Sequence, residues 1–352
     1  MVYTAVMGYG VVGGGVVDVI ENNRDLFKKK IGDDIQVKYI LDIRDLPEDK
    51  NADKLTKDFN VIVEDSEVSI VVEAIGGCKA AYEYTKKCLA ASKSVVTSNK
   101  ELVATHGPEL LEIAKASGAH YFFEAAVGGG IPVIRPLANC LSANRITKII
   151  GILNGTTNYI LTKMISDRMP FDEALCNAQR LGYAEANPSA DVEGKDTCRK
   201  IAILASIAFG RHIYPENVYT RGISDIAVED MQRADSMGYA IKLLGCAQLI
   251  PGGDVEIFVS PCAIKKTHNL AHVHDVFNGV QITGDMVGDV TFIGRGAGKL
   301  PTASAVCSDI IDAAIDDASY DIYWQDCGSG FIRSFDRLTF KYLDGTDIPV
   351  VD

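Results

Sequence analysis

The sequence lacks long apolar runs, paired cysteine motifs and a basic leader, and each absence excludes a class of protein. No hydrophobic stretch reaches the roughly 18 to 20 residues of a membrane-spanning helix, so we expect no membrane partner. The nine cysteines include no C-x-x-C pair and are odd in number, which argues against a disulfide framework or a thiolate zinc site. No basic segment precedes an apolar core at the N-terminus, so we predict a cytoplasmic protein without a secretory signal.

Positive charge is also scarce. The 35 Lys and Arg residues are outnumbered by 47 Asp and Glu residues, which leaves a formal net charge of −12. Neutralising a phosphodiester backbone requires clustered Lys and Arg, so we expect no nucleic acid partner. The acidity does not exclude a phosphate-bearing cofactor, because a few backbone N–H groups bind an anion locally whatever the overall charge.

The first third of the chain alternates β-rich runs with helical stretches, which is typical of βαβ units around a parallel sheet. The expected strands are Val2 to Met7, Ile35 to Leu41, Ile70 to Ile75, Ser94 to Thr97 and Tyr121 to Phe123. The expected crossover helices are Val11 to Glu21, Lys79 to Ala91 and Pro108 to Ser117. A glycine-rich break at 128–132 ends this pattern.

The rest of the chain predicts an α+β domain with a mixed sheet. Helices are expected at Asn158 to Arg168, Asp172 to Leu181 and Gly194 to Phe209, and strands at Asp254 to Ser260, Gly279 to Thr283 and Asp289 to Ile293. A final helix, Thr302 to Ile315, is expected to return to the first domain. We therefore predict an α/β protein in which residues 1–135 with 300–352 form the first domain and 136–299 the second.

A G-x-G-x-x-G motif lies between the first expected strand and the first expected helix. Gly8 permits the tight turn, Gly10 lets a pyrophosphate approach the backbone, and Gly13 permits close packing of helix on strand. Val11 and Val12 open the helix, whose first N–H groups face the anion. A glycine turn without a ligand is the alternative, but the strand and helix on either side favour a Rossmann domain that binds NAD or NADP.

The residues after the second strand leave the choice of dinucleotide open. An acidic residue accepts hydrogen bonds from a free ribose 2'-hydroxyl and favours NAD, whereas an arginine pairs with the 2'-phosphate of NADP. If the strand ends at Leu41, Asp42 takes this position, and if it continues to Ile43, Arg44 takes it. We include Arg44 among the cofactor-binding candidates.

A dense group of charges begins an apolar helix in the second domain. Asp196 and Lys200 are four residues apart, and their helical stripe continues through apolar positions. Because 201–209 is apolar all round, we expect a buried helix whose first turn opens into a polar pocket. The alternative is a solvent-facing ion pair at a helix end. A lysine positioned in such a pocket can exchange a proton with an alcohol.

Five segments in this order resemble homoserine dehydrogenase over nearly the whole chain. They are Val71–Gly77, Val95–Lys100, Asn154–Ile160, Leu181–Gly210 and Gly294–Ala303. The resemblance implies reversible NAD(P)-linked interconversion of L-homoserine and L-aspartate 4-semialdehyde, a step toward threonine and methionine. It also implies a homodimer, with 136–299 as the substrate-binding and dimerisation domain, and a monofunctional short form without a fused kinase or a C-terminal regulatory domain.

The resemblance also assigns roles to individual residues. It makes Lys200 the acid/base, places Lys100 by the nicotinamide and the substrate, and makes Asp196 the third member of the catalytic group. Substrate is held by the matches to Glu185 and Asp196, with Asp191 in support. The remaining implied cofactor contacts are Ile75, Gly76 and Gly298.

In related enzymes the glycine-rich break binds a monovalent cation, often sodium. The implied ligands are oxygens of Glu124, Val127, Gly129 and Ile131, and main-chain carbonyls suit a hard cation. The alternative is a Glu124 held by hydrogen bonds at the domain junction, since an unpaired carboxylate there would be costly. A transition-metal site at the histidines of 268–274 is not expected, because the intervening residues predict a loop.

Two other functions remain open. Another Rossmann dehydrogenase, such as aspartate-semialdehyde dehydrogenase, would require a nucleophilic cysteine, and none of the nine follows a glycine-rich strand end beside a histidine base. A dinucleotide-sensing protein without turnover would keep the glycine loop but would not need the lysines.

Overall fold

The computed structural model describes residues 1–315, 322–333, 335 and 341–351. The strands in these residues are β1 Val2–Met7, β2 Ile35–Leu41, β3 Leu55–Thr56, β4 Val68–Glu73, β5 Ser94–Thr97, β6 Tyr121–Phe122, β7 Ile146–Ile152, β8 Tyr219–Thr220, β9 Tyr239–Leu249, β10 Val255–Lys265, β11 Phe277–Gly284, β12 Gly288–Arg295, β13 Ile332–Arg333 and β14 Val350–Val351. The α-helices are α1 Val11–Asn22, α2 Arg24–Ile31, α3 Asn60–Glu64, α4 Lys79–Ala90, α5 Lys100–Ser117, α6 Gly155–Ser166, α7 Phe171–Arg180, α8 Ser189–Val192, α9 Lys195–Phe209, α10 Val228–Ser236 and α11 Lys299–Ile315.

The chain divides into two compact units. The first unit contains Met1–Asn139 and Ala297–Tyr323, and the second contains Cys140–Gly296 and Trp324–Asp352. None of the described helices is both long and apolar enough to span a bilayer.

The first unit is built on a parallel sheet of six strands in the order β3-β2-β1-β4-β5-β6. This is the strand order of a dinucleotide-binding Rossmann domain, and it confirms the predicted fold. The central strands are buried along most of their length, as expected for a sheet covered on both faces. Helix α1 packs on α11, and α4 packs on α5. The carboxyl ends of β1, β4 and β5 therefore meet at one edge.

Helix α5 begins earlier than the sequence predicts. It starts at Lys100 instead of Pro108, because the side chain of Asn99 accepts a hydrogen bond from the N–H of Leu102 at 3.1 Å and caps the helix. Pro108 lies inside the helix, where its missing N–H removes only one helical hydrogen bond. The consequence is functional, since Lys100 lies in the first turn of a helix at the carboxyl end of β5.

The second unit is built on a mixed sheet with the main order β12-β11-β7-β9-β10-β13. Its long strands pair antiparallel, whereas β8, β13 and β14 pair parallel with β10. Helix α9 packs on β7 and β9, and its residues Ile201 to Ala205 are fully buried. The predicted mixed sheet and buried helix are thus both found.

The C-terminal segment departs from the sequence-based division. The sequence assigns 300–352 to the first domain, whereas the structure places only Ala297–Tyr323 there. Ile332 pairs with Val255 and Val350 pairs with Ala263, so β13 and β14 extend the edge of the mixed sheet. The physical reason is that these short strands gain main-chain hydrogen bonds beside β10 and Val351 becomes buried, and no local pattern predicts a pairing so distant in sequence.

Candidate active site

The best-defined polar cluster lies at the start of α9 in the second unit. The ammonium of Lys200 donates hydrogen bonds to Oδ2 of Asp196 at 2.8 Å and to the main-chain carbonyl of Leu153 at 2.9 Å. Both side chains are buried, with Asp196 only 3% and Lys200 8% exposed. This excludes the solvent-facing ion pair considered above, because a buried pair is desolvated and needs directed partners. The pair therefore has a fixed geometry.

Asn154 joins this pair to a second carboxylate. Its side-chain N–H groups donate to Asp196 at 2.9 Å and to Asp191 at 2.7 Å. Its side-chain oxygen accepts from the N–H of Thr157 at 2.8 Å and so caps α6. Sequence reasoning gave Asn154 no role, although an asparagine directly before a helix is a recognisable capping signal.

The structure does not bring every predicted substrate residue into this cluster. Asp191, Asp196 and Lys200 are linked through Asn154, whereas Glu185 lies in the turn after α7 with its side chain exposed. The same turn contains Tyr183, whose carbonyl accepts a hydrogen bond from the hydroxyl of Thr156 at 2.6 Å. The turn that carries Glu185 is thus tied to the first turn of α6.

The glycine loop of the first unit has the backbone that its spacing predicts. Gly8 has φ +94°, and a β-carbon there would lie 2.5 Å from the carbonyl oxygen of Ala74 at the end of β4. A β-carbon on Gly13 would lie 1.9 Å from the carbonyl oxygen of Gly8. Neither position accepts a side chain without backbone displacement, so the turn depends on glycine at both.

Gly10 is different, because no atom of the described residues lies within 4 Å of where its β-carbon would be. It is the residue directly before α1, and a glycine has no side chain to cap the helix N–H groups. The first N–H groups of α1, on Val11, Val12 and Gly13, have no partner within the helix and lie at its positive end. The chain thus offers an open approach to helix N–H donors, as a bound pyrophosphate requires.

The residues after β2 settle which side chain follows the strand. The strand ends at Leu41, so Asp42 and not Arg44 is the first residue after it. Its carboxylate accepts from the N–H of Tyr9 at 2.9 Å, and Arg44 bonds to both of its oxygens at 2.9 Å. The hydrogen bond from Arg44 holds the pKa of Asp42 far below its ordinary value. Arg44 also donates to the carbonyl of Tyr9 at 2.7 Å. The Asp42 carboxylate and the Arg44 guanidinium therefore lie side by side next to the glycine loop.

Two turns at the same sheet edge carry the other predicted cofactor residues. Ile75 and Gly76 follow β4, and Lys100 follows β5. The side chain of Asn99 donates to the carbonyls of Ile75 at 3.3 Å and Gly77 at 2.7 Å. One side chain thereby links both turns.

Gly298 directly precedes α11 and has φ +122°, a conformation that favours glycine. The next residue, Lys299, forms an ion pair with Asp18 of α1 at 2.7 Å. Lys299 also packs closely on α1, because a β-carbon on Gly15 would lie only 3.0 Å from its side chain. This brings the turn at Gly298 beside the helix that begins at the glycine loop.

The carboxylate of Glu124 is held by hydrogen bonds. It accepts the N–H groups of Val133 at 2.6 Å, Ile134 at 2.9 Å and Arg135 at 2.7 Å. Burial raises its pKa, an effect that these donors oppose. The N–H of Glu124 donates to Asp309 at 2.9 Å. The alternative expectation of a hydrogen-bonded Glu124 is met.

Side-chain metal sites are absent from the part of the chain that the structure describes. No group of three or more His, Cys, Asp or Glu side chains is placed to hold a metal ion within those residues, which include the three histidines of 268–274. Five of the nine cysteines are buried. Burial raises the pKa of Cys88 and of Cys307 to about 12. These thiols are unsuited to act as nucleophiles near neutral pH.

Comparison with known proteins decides the family. A family model for homoserine dehydrogenase matches residues 132–311, and a model for the homoserine dehydrogenase NAD binding domain matches residues 8–124. The homoserine dehydrogenase of Bacillus subtilis is 43% identical over 309 residues, which cover 87% of this chain and 71% of that protein. The chain belongs to the homoserine dehydrogenase family. It is an NAD(P)-dependent oxidoreductase that acts on an alcohol group.

Other members of the homoserine dehydrogenase family agree in sequence and in structure. The Synechocystis homoserine dehydrogenase is 46% identical over 313 residues, which cover 87% of this chain and 72% of that protein. The crystal structure of a homoserine dehydrogenase from Thiobacillus denitrificans has a TM-score of 0.87 at 40% identity and covers 92% of this chain and 76% of that one. A hyperthermophilic archaeal homoserine dehydrogenase in complex with NADPH has a TM-score of 0.75 at 28% identity, and the match covers 89% of this chain and 98% of that one.

Proposed function

We propose that this chain interconverts L-homoserine and L-aspartate 4-semialdehyde reversibly, as a step toward threonine and methionine. The observation that carries this proposal is the buried Lys200–Asp196 pair joined through Asn154 to Asp191. Such a desolvated, hydrogen-bonded charge cluster is typical of a catalytic site. Membership of the family indicates the substrate, and the charge cluster is proposed to carry out the proton transfer.

Lys200 is the proposed acid/base. Hydrogen bonds to Asp196 and to the Leu153 carbonyl fix its nitrogen, so a substrate hydroxyl meets a positioned amine. In the oxidation direction the amine accepts the hydroxyl proton, and in the reduction direction the ammonium returns a proton to the aldehyde oxygen. When bound, the dinucleotide exchanges hydride with the carbinol carbon. Asp191, Asp196 and Glu185 supply negative charge for the substrate ammonium, and Lys100 is proposed to act beside the nicotinamide.

The first test is an assay of the purified chain with L-homoserine and NAD+ or NADP+, following reduced cofactor at 340 nm. We expect turnover that depends on L-homoserine. Cofactor binding without turnover would instead indicate a dinucleotide sensor, and phosphate-dependent acylating activity would indicate an aspartate-semialdehyde dehydrogenase. The raised pKa of the buried cysteines Cys88 and Cys307 opposes this last outcome.

Cofactor preference is proposed to depend on the Asp42–Arg44 pair. Arg44 lies over Asp42 and is half exposed, so it can turn toward a 2'-phosphate. We expect Arg44→Ala to raise the KM for NADP+ at least about tenfold and the KM for NAD+ far less. The change removes the cation that pairs with the 2'-phosphate of NADP+, and it leaves the Asp42 carboxylate uncovered, where it repels that phosphate but accepts a hydrogen bond from the 2'-hydroxyl of NAD+. Steady-state kinetics with both cofactors measure the effect. Arg24→Ala, which removes another exposed arginine of the first unit, is the matched control.

A monovalent cation is proposed at the carbonyl oxygens of Glu124, Val127, Gly129 and Ile131. Positive φ angles at Gly128 (+77°) and Gly129 (+56°) turn this backbone sharply, and the Glu124 side chain is already engaged elsewhere. Replacing Na+ and K+ with N-methyl-D-glucamine is expected to lower the melting temperature and the activity, and restoring Na+ to recover both. Line broadening of the 23Na NMR signal provides a readout independent of turnover. An unchanged melting temperature together with an unbroadened signal would contradict this site.

The homodimer predicted from the family resemblance and the cytoplasmic location predicted from the sequence stay predictions.

A further inference from the structure

A buried carboxylate at the carboxyl edge of the parallel sheet has no role in the reaction as proposed. Glu73 is the last residue of β4 and is fully buried. In the described part of the chain it forms no ion pair, so its environment contains hydrogen-bond donors instead of a compensating cation. Burying an acid without a cation costs free energy, and a fold that retains one calls for an explanation.

The two oxygens of Glu73 accept hydrogen bonds from two different turns. Oε1 accepts from the N–H of Ile75 at 2.7 Å, and Oε2 accepts from the hydroxyl of Thr97. The first donor belongs to the turn after β4, and the second lies at the end of β5. A carboxylate suits this position because both partners are donors, and both of its oxygens are acceptors.

A chain of hydrogen bonds connects Glu73 through Thr97 and Asn99 to the helix that begins at Lys100. The Thr97 hydroxyl donates to Glu73 and accepts from the N–H of Asn99 at 2.9 Å. Asn99 then caps α5, whose first residue is Lys100, and also holds the carbonyls of Ile75 and Gly77. Glu73 thus lies at the centre of a closed set of hydrogen bonds that joins both cofactor turns.

We infer that Glu73 is a positioning residue for this reaction, which fixes the backbone at Ile75–Gly76 and the ammonium of Lys100 relative to the nicotinamide. The inference rests on the proposed function, because it assumes that these turns meet the cofactor and the substrate. Glu73 itself touches neither and acts through Thr97 and Asn99.

Hydrogen-bond chemistry makes the position sensitive to a single atom. In Glu73→Gln the amide NH2 replaces one acceptor and must face either the Ile75 N–H or the Thr97 hydroxyl. If the amide NH2 faces Ile75, two hydrogen-bond donors, the NH2 and the Ile75 N–H, point at each other. Facing Thr97 forces the hydroxyl proton away from residue 73, and the link to Asn99 loses its fixed orientation.

The titration of Glu73 agrees with this arrangement. Burial raises its pKa to about 7, and the bonds from Thr97, Ile75 and Asn99 oppose that rise. The titratable group beside it is Tyr121 of β6, whose pKa is raised by burial and by the charge of Glu73. The Tyr121 hydroxyl is buried and has no hydrogen-bond partner among the described residues, so it does not replace the acceptor that protonation of Glu73 removes.

The test compares Glu73→Gln and Thr97→Val with the wild-type chain. We expect Glu73→Gln to lower kcat by about 10- to 100-fold, the effect of misplaced reacting groups, and to weaken NADPH binding by about tenfold. Thr97→Val keeps the Ile75 bond but breaks the relay, so we expect a loss of kcat with NADPH affinity within about threefold. Thr85→Val is the matched control, since Thr85 is equally buried and its hydroxyl forms no hydrogen bond with any residue that the structure describes.

A double-variant cycle with Lys100→Ala separates positioning from general structural damage. If Glu73 acts through Lys100, kcat of the Glu73→Gln/Lys100→Ala chain will equal that of Lys100→Ala alone. Multiplied losses, or a folded Glu73→Gln chain with wild-type kcat and NADPH affinity, would overturn the inference. If Glu73→Gln does not fold, the cycle with Thr97→Val decides.

The outcome is distinguishable from failure of the proposed function. NADPH affinity is read from the change in its fluorescence on binding and needs no turnover. A wild-type chain that binds NADPH but does not oxidise L-homoserine refutes the function, whereas the affinity of Glu73→Gln still tests whether Glu73 orders the turn at Ile75.

Discussion

Replacing Lys200 with alanine is expected to lower kcat with L-homoserine by about 10³-fold or more, within the range that a positioned acid/base contributes. The amine is held by Asp196 at 2.8 Å and by the Leu153 carbonyl at 2.9 Å, so the substitution removes a proton acceptor and donor of fixed position. NADPH affinity should be retained, because the glycine loop belongs to the first unit and Lys200 to the second. Stopped-flow and steady-state kinetics with fluorescence titration measure both quantities.

Stability must be separated from catalysis in this experiment. Removing Lys200 leaves the buried Asp196 without its cation, which destabilises a fold by about 3 to 5 kcal/mol. Lys200→Arg is therefore the informative partner variant, since arginine keeps the charge but does not release a proton near neutral pH. Lys195→Ala, at an exposed position of the same helix, is the control. Wild-type kcat in a folded Lys200→Arg chain would remove the acid/base role.

Replacing Gly10 with alanine is expected to weaken NAD(P)H binding by about 100-fold, which corresponds to about 2.7 kcal/mol, with little change in the unfolding free energy. There is room for the methyl group, since nothing in the part of the chain that the structure describes lies within 4 Å of the β-carbon position, and φ is −81°. A bound pyrophosphate would occupy that room. Isothermal calorimetry gives the affinity, and thermal unfolding gives the stability.

Two other glycines of this region provide contrasts. Gly14→Ala lies within α1 and would meet only the Tyr9 ring at 3.8 Å, so it should stabilise the fold by about 0.5 to 1 kcal/mol and leave binding intact. Gly13→Ala would place a methyl group 1.9 Å from the Gly8 carbonyl oxygen, so it should lower stability even without cofactor. Unchanged affinity in Gly10→Ala would mean that no phosphate approaches the backbone there.

The features that the sequence predicts well are those in which neighbours in the chain act together. The glycine loop combines a strand, a turn and the start of a helix within thirteen residues, and Gly8 and Gly13 each have a steric reason that the spacing already suggests. The Lys200–Asp196 pair is similar, because four residues span one helical turn and the apolar run that follows buries it.

Features that join distant residues were not predictable in this way. The links from Asn154 to Asp191 and Asp196 span 37 and 42 residues, and the link from Thr97 to Glu73 spans 24. In each case a polar side chain is ordinary in its local pattern, and only the approach of another element gives it a partner. The pairing of β13 and β14 with β10 is of the same kind.

The sequence by itself therefore determined the dinucleotide-binding turn and the charged start of a buried helix, because backbone sterics and helical periodicity act between near neighbours. The tertiary structure decided three other matters: that Tyr9 of the glycine loop bonds to both Asp42 and Arg44, that Glu124 is held between later main-chain N–H groups and Asp309, and that Glu73 ties two turns together through Thr97. Hydrogen-bond geometry of that kind exists only after separate segments have packed, so it is not encoded in any single stretch of residues.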